Sequence, residues 1–170
     1  APNSMITGSF GVIGSGFAAI GSAITGSTYT AETTTAPFDS FTGSITEGGS
    51  SIAIVTGLEL SIDNGMEALY VVGQDTTLEP SIGKSTVTGS VTAYFEDITL
   101  LNKFVNETES SLQFTLTDSA GKDYIFLMPK IKYNSGNPEA AGPGAVTISL
   151  DFVALYDSTA ATQLKITRQP

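Results

Sequence analysis

Apolar and polar residues alternate along most of the chain beyond residue 50. In the stretch SIAIVTGLELSID, the even-numbered positions from Ile52 to Ile62 are apolar except Thr56, and several odd-numbered positions are small or polar. Because successive side chains of a strand point to opposite faces, this period of two indicates a strand with one buried face. The pattern recurs in three later segments, 84–95, 112–116 and 146–156. The chain is therefore predicted to consist mainly of strands.

Turn-forming residues separate these strands. Asp63, Asn64 and Gly65 follow the first strand directly, and Asn and Gly tolerate the positive φ angles of a tight turn. A return strand is therefore expected at 68–72, followed by another turn at 80–83. Further along, Asp-Ser-Ala-Gly at 118–121 lies between two apolar segments and predicts a hairpin with a second strand over 123–133.

The remaining β segments lie near the C-terminus and at the N-terminus. Segment 134–144 is rich in glycine and proline and is predicted to be a loop. A short strand near 164–167 is expected to close the sheet. Segment 4–14 also has the character of a strand, although glycines weaken it. Segment 16–37 is predicted to be an extended arm or linker, with a disordered loop as the equal alternative.

One segment has the pattern of a helix. In EDITLLNKFVNETE, apolar residues at Leu100, Leu101, Phe104 and Val105 recur at helical spacing and form one stripe. Asp97 precedes them and is expected to cap the helix, because its carboxylate can accept a hydrogen bond from a free backbone N–H. We assign the stripe to core packing.

These elements predict a mainly β fold, a β-sandwich or small barrel with one packed helix at about 97–107. Two regions are expected: residues 1–37, a strand from a preceding domain plus an extended arm, and residues 38–170, the β domain proper.

Composition excludes most catalytic chemistry. The chain contains no histidine and no cysteine, so it lacks the commonest general base, the commonest metal ligand and a thiolate nucleophile. The adjacent Glu96 and Asp97 lie where the helix begins, and Glu107 and Glu109 follow it, without the apolar surroundings that raise the pKa of a catalytic acid. We predict no enzyme, no catalytic or metal-binding residues and no cofactor. No apolar run has the roughly 20 residues of a membrane span.

Charge is distributed unevenly. The net charge is −10, and eight acidic residues precede the first basic residue, Lys84. Such a surface repels nucleic acid. Acidity that serves only solubility explains the composition equally well at this stage.

Four Thr-Gly-Ser triplets occur, three of them followed by an apolar residue, in MITGSFGVIG, FTGSITEGG and STVTGSVTAYF. Together with the runs VTGSVTAYFEDITLLNKFVNETESSLQFTLTD, FLMPKIKYNSG and VTISLDFVALYDSTAATQLKITR, the sequence from about Phe38 to Arg168 resembles the major tail tube proteins of long-tailed phages. The first triplet resembles the closing strand of a preceding tube domain. We therefore interpret the triplets as traces of a repeated β fold in which small residues let backbones approach closely. Chance in a chain rich in Gly, Ser and Thr is the alternative.

The resemblance implies a structural virion protein of the phage tail, assembled in the host bacterial cytoplasm. Its partners would be itself, in stacked hexameric or trimeric pseudo-hexameric rings, and other tail proteins. DNA would pass through the lumen during ejection without specific binding, and segments 21–37 and 134–144 would reach the next ring. Members with two tube domains are longer, so we expect this chain to be a truncated form.

Two other classes of function remain open at this stage. One is a carbohydrate- or cell-surface-binding β-sandwich module, although sugar platforms favour exposed aromatic residues and the chain has no Trp. The other is a calcium-stabilised adhesin, which needs clustered Asp and Asn ligands. Asp63, Asn64 and Gly65 alone are too short a cluster, and a turn explains them better.

Overall fold

The protein was analysed as a computed structural model that describes residues 5–14, 21, 23, 26–28, 30–32, 34–39, 43–52, 54–74, 76–96, 98–139 and 144–169. Strands dominate this part of the chain, and it contains one short helix. The strands are β1 (Ser44–Glu47), β2 (Ser50–Ser51), β3 (Val55–Asp63), β4 (Thr86–Tyr94), β5 (Ser110–Thr117), β6 (Asp123–Tyr133), β7 (Asn137–Glu139), β8 (Thr147–Ala154) and β9 (Lys165–Arg168), and the helix is α1 (Thr99–Val105).

The nine strands form one antiparallel sheet. Its order is β2-β1-β5-β6-β8-β4-β3, with β7 added to β8 and β9 added to β6. The long strand β6 belongs to two halves of this sheet. On one side its residues 123–131 pair with β5, whereas on the other side residues 124–127 pair with β9 and residues 131–133 pair with β8.

Both halves bury their inward faces in one core. The buried apolar residues are Val87, Val91, Ala93, Leu112, Met128, Ile131, Tyr133, Ile148, Leu150, Phe152 and Ala154. Leu100, Leu101 and Phe104 of α1 pack against this cluster. The predicted mainly β fold with one packed helix is therefore confirmed.

Several strands lie where the alternation predicts them. In β8 every second residue is buried, and in β4 the same holds except at Gly89, which is half-buried; the residues between them are more exposed. The β5–β6 hairpin is also confirmed. Its turn is held by the carboxylate of Asp118, which accepts hydrogen bonds from the backbone N–H of Ala120 at 2.8 Å and of Lys122 at 2.9 Å. The predicted closing strand is present as β9, which pairs with β6.

The predicted return strand at 68–72 and turn at 80–83 are wrong. β3 pairs with β4 instead, so 64–85 forms one long connection, the 64–85 hairpin. Its two arms are linked by sparse backbone pairs, between Glu67 and Ser81 and between Leu69 and Leu78, and the chain reverses only near Gly73. At Gly65, the N–H bonds the Asp63 carboxylate at 2.8 Å. Asp63, Asn64 and Gly65 therefore form a local bend that does not reverse the chain.

Three further expectations differ from the structure. The helix begins at Thr99, with Ile98 at the N-cap position providing no side-chain cap, and ends at Val105, which is exposed. The proposed cap, Asp97, lies outside the described residues. Segment 134–144 contains the short strand β7, which pairs with β8. Pro138 has no backbone N–H to donate, and it is tolerated because β7 lies at an edge.

The predicted N-terminal strand is almost absent from the described residues. Met5 forms a single antiparallel bridge with Asp39, and the N–H of Ile6 bonds the carbonyl of Phe38 at 3.0 Å. Residues 7–14 form no strand. A segment with strand character forms a strand only where another segment pairs with its backbone. Here only Met5 and Ile6 find such a partner, at Phe38 and Asp39. The division into regions 1–37 and 38–170 stays a prediction.

Candidate lumen and assembly surfaces

The outward side of β3, β4, β7 and β8 is lined by hydroxyl and carboxylate side chains. Directly opposed residues of antiparallel strands point to the same face, and the register places Glu59, Ser90 and Asp151 in one row across three strands. Glu59, Asp63, Glu139 and Asp151 are exposed, and they are the charged residues of these four strands. We call this surface the acidic face.

The apolar core fixes which side chains form this face. Every second residue of β4 and β8 points inward, and all of these except Gly89 are buried. A shift of register by one residue would expose that apolar set, so the hydroxyl and acidic residues must face outward. At Gly89 of β4, the backbone of β3 and the core come especially close. An added Cβ would collide with the carbonyl oxygen of Glu59 and lie 2.6 Å from Cζ of Phe152. The glycine of this Thr-Gly-Ser triplet therefore serves close packing.

Two lysines of β6 border the acidic face. Lys132 lies opposite Val153 in the β6–β8 ladder and so points to the same side as that row. Lys130 lies two residues earlier on the same strand face. The ammonium of Lys130 is 2.8 Å from Oε2 of Glu109, and that of Lys132 is 3.7 Å from Oε2 of Glu107. Both glutamates lie between α1 and β5.

The 64–85 hairpin exposes many apolar side chains. Val72, at its tip, is fully exposed, and Tyr70 and Ile82 are about four-fifths exposed, at 77% and 83%. Met66, Leu69, Val71 and Leu78 are exposed as well. A cluster of large apolar residues on a projecting element indicates a contact surface.

A buried ion pair joins α1 to the end of β1. Lys103 of the helix bonds Oε2 of Glu47, whose side chain is only 4% exposed. Tyr133 of β6 lies buried nearby. Burial and the neighbouring Glu47 carboxylate raise the pKa of the Tyr133 hydroxyl. This cluster fixes the helix on the sheet.

Of the acidic residues singled out in the sequence, the structure describes Glu96, Glu107 and Glu109. Glu96 is exposed after β4, whereas Glu107 and Glu109 each contact a lysine. Within the described ranges, no three acidic side chains are grouped so that they could hold a metal ion. The same part of the chain contains no helix of the length and apolarity that crossing a membrane requires.

Comparison with known proteins identifies the family. The model of the phage tail tube protein family matches residues 1–154. The chain belongs to this family. The tail tube protein is accordingly a structural protein of the virion tail, a subunit of the tail tube. No curated protein matches its sequence.

Solved structures share the fold of this tail tube protein. The anti-feeding prophage cap, described as a tube terminating cap, is 12% identical with a TM-score of 0.57, over 86% of this chain and 99% of that one. The sheath-tube complex of an extracellular contractile injection system is 13% identical with a TM-score of 0.54, over 77% and 91%. A gene transfer agent tail computed with C6 symmetry is 13% identical with a TM-score of 0.51, over 69% and 85%.

These findings do not support the alternative of a carbohydrate- or cell-surface-binding module. The structure also shows two features that were not predicted from the sequence: the acidic face and the ion pairs of Lys130 and Lys132. The acidic face had a signal, because the outward positions of each alternating strand could have been read for charge. The pairing of Lys130 and Lys132 with glutamates had none, since it depends on contacts between separate elements.

Proposed function

We propose that copies of this tail tube protein assemble into rings, that the rings stack into a hollow tube, and that the acidic face lines the channel through which DNA passes. The observation that carries this proposal is the composition of β3, β4, β7 and β8, whose charged residues are all acidic. Proteins grip DNA by neutralising phosphates with Lys and Arg. A wall of hydroxyls and carboxylates lets a polyanion slide past without being held.

The edges of the sheet supply a means of joining copies within a ring. β3 is the last strand of the sheet order, so its outer side pairs with no other strand of the described residues. An unpaired strand edge is a template for pairing with a second chain. Edge-to-edge pairing around a closed ring leaves no exposed edges on the channel wall.

The 64–85 hairpin supplies a second contact between copies. Residues 64–71 can span at most about 25 Å when extended, which is enough to reach a neighbouring subunit. The apolar side chains at its tip would be covered by a second copy of this chain. The segments 21–37 and 134–144 were expected to play this part, but both lie partly outside the described residues, and the hairpin is the better-supported candidate.

We infer a ring of six copies. The gene transfer agent tail with a similar fold was computed with C6 symmetry, which supports six copies of a single domain. If the natural chain carries two such domains, three copies would give a pseudo-hexameric ring. Other tail proteins would bind the ends or the outside of the tube, and assembly would take place in the host bacterial cytoplasm.

Electron microscopy of the purified chain at high concentration tests this proposal. We expect rings or tubes with a central hole, and light scattering should show a matching mass. A protein that stays monomeric at every concentration would contradict self-assembly by these residues.

A pair of variants tests the hairpin contact. Tyr70→Ser combined with Val72→Ser should abolish stacking without changing the circular dichroism spectrum, because both side chains are exposed in the subunit. Val105→Ser is the matched control, since Val105 is also exposed but lies on α1. If both variants stack like the parent protein, the hairpin tip is not the contact.

A further inference from the structure

We propose that Glu107 and Glu109 are masking residues, which neutralise Lys132 and Lys130 so that the edge of the acidic face does not bind DNA phosphates. The proposal rests on the channel assignment above. Without these partners, each subunit would present two ammonium groups beside the acidic face. Repeated around a ring, such groups would form a belt of phosphate-binding sites.

The conformation of Glu107 supports a role for its side chain. The N–H of Glu107 bonds the carbonyl of Phe104 at 3.1 Å, and the N–H of Thr108 bonds that of Lys103 at 2.8 Å. These two bonds define the common C-terminal turn in which glycine is preferred at the left-handed position. Glu107 occupies that position with φ of 50°. Glu107 therefore takes a backbone conformation that favours glycine, and its carboxylate contacts Lys132.

Stability does not explain the two pairs. The side chains of Lys130 and Glu109 are 33% and 46% exposed, and those of Lys132 and Glu107 are 36% and 81% exposed. Ion pairs at such exposed sites contribute little to folding. Their consequence is electrostatic, because each one cancels a positive charge at the border of the acidic face.

The charges around Lys130 agree with this role. The hydrogen bond that the Lys130 ammonium donates to the Glu109 carboxylate, together with the negative charges of Glu109 and Asp157, raises the pKa of Lys130. The lysine therefore stays protonated near neutral pH, and the Glu109 carboxylate offsets its charge. Whether Lys130 is masked near neutral pH therefore depends on where Glu109 lies and not on a change in the protonation of the lysine.

The test uses the full chain and a fluorescently labelled DNA duplex. Glu107→Gln with Glu109→Gln should bind the duplex at least about tenfold more tightly than the parent protein in 50 mM salt, because two lysines become available to phosphates. Each new phosphate contact should steepen the dependence of log affinity on log salt by about 0.9. Fluorescence anisotropy over a salt series measures both.

Three further variants separate masking from other effects. Glu32→Gln with Glu96→Gln removes the same charge from two exposed positions elsewhere and should leave DNA binding as in the parent. Glu107→Gly with Glu109→Gln should bind DNA like the Gln variant while keeping the turn, since glycine suits the left-handed position. Adding Lys130→Gln and Lys132→Gln to the Gln variant should remove the gained affinity.

The outcomes distinguish this proposal from the proposed function. Equal DNA binding by the Gln variant and the Glu32/Glu96 control would overturn masking, even if electron microscopy shows tubes. Gained affinity that survives the lysine substitutions would overturn it as well. Gained affinity that depends on the lysines would support masking, even if the chain forms no rings and the channel assignment fails.

Discussion

At Gly89, a hydrogen atom occupies the space that a methyl group would need. The position lies between the backbone of Glu59 and the ring of Phe152, and so it sets the spacing of β3 and β4 and their contact with the core. The Thr-Gly-Ser triplet at this site is therefore explained by sterics. Gly8, in another of the triplets, meets no such obstacle. The nearest atom to a Cβ added there belongs to the Phe10 ring, at 4.0 Å.

Gly89→Ala should lower the free energy of unfolding by about 2–3 kcal/mol, the usual cost of forcing extra volume into a packed site. Gly57→Ala is the control in the adjacent strand, because its Cβ would lie an ordinary 3.7 Å from Cβ of Thr92. That variant should change stability by less than about 1 kcal/mol. Urea denaturation measures both, and equal losses would refute the steric argument.

Tyr133 makes stability depend on alkaline pH. Its pKa is raised by burial and by Glu47, so the folded state keeps the phenolic proton after the unfolded chain loses it near pH 10. The contribution of Tyr133 is fully present below about pH 10 and is lost as the pH rises further. By pH 11 the loss should reach about 1.4 kcal/mol.

Comparison with Tyr133→Phe isolates this contribution. Lysines and other tyrosines titrate in both proteins, so the difference between them reports Tyr133. Between pH 8 and pH 11, the variant should lose less unfolding free energy than the parent protein. Parallel curves would show that Tyr133 ionises as easily in the folded protein as in the unfolded chain.

Helix α1 is short, and a single buried ion pair ties it to β1. Its seven residues are too few to be stable alone, so its position depends on packing of Leu100, Leu101 and Phe104 and on the Lys103–Glu47 pair. The carboxylate of Glu47 is nearly inaccessible to water.

Lys103→Met should lower the free energy of unfolding by about 3 kcal/mol, because it leaves the buried Glu47 charge without a partner. Adding Glu47→Gln should recover most of this loss, since no buried charge then remains. Chemical denaturation of the two variants provides the measurement. A loss below about 1 kcal/mol for Lys103→Met would mean that water reaches Glu47 in the variant.

Strands with a buried face could be predicted from sequence because period-two alternation records burial directly. β4, β8 and the β5–β6 hairpin are examples, and their turns carry local signals such as Asp118. The 64–85 hairpin could not be predicted in this way. Asp63, Asn64 and Gly65 have turn chemistry, but the choice of β4 as partner depends on eight paired positions far along the chain.

The candidate surfaces differ in the same respect. The acidic face follows from the outward positions of single strands, so its composition is present in the sequence. The ion pairs of Lys130 and Lys132 join β6 to the turn before β5, and local patterns do not specify such contacts. For the same reason, β7 was expected to be loop, because its pairing with β8 has no local alternation behind it.

For the whole molecule, charge is segregated as well as abundant. The basic residues within strands lie on β6 and β9, while the charged residues of β3, β7 and β8 are all acidic and β4 has none. Copies with a net charge of −10 repel one another at neutral pH. Assembly through apolar and backbone contacts must overcome this repulsion.

Added salt should therefore promote assembly. Raising the ionic strength from 0.01 M to 1 M shortens the screening length from about 30 Å to about 3 Å, which weakens repulsion between copies more than the short-range contacts proposed for the hairpin tip. The concentration at which rings or tubes form should fall across this range. Sedimentation measures it, and an increase would indicate that attraction between opposite charges joins the copies.

Because β6 runs through both halves of the sheet, neither half can tilt without straining a strand of the other. Pulled or bent, the subunit should behave as one stiff body that yields in a single event. In the proposed tube, bending would take place at the joints between copies, so the length and stiffness of the 64–85 hairpin would set the elasticity of the tube.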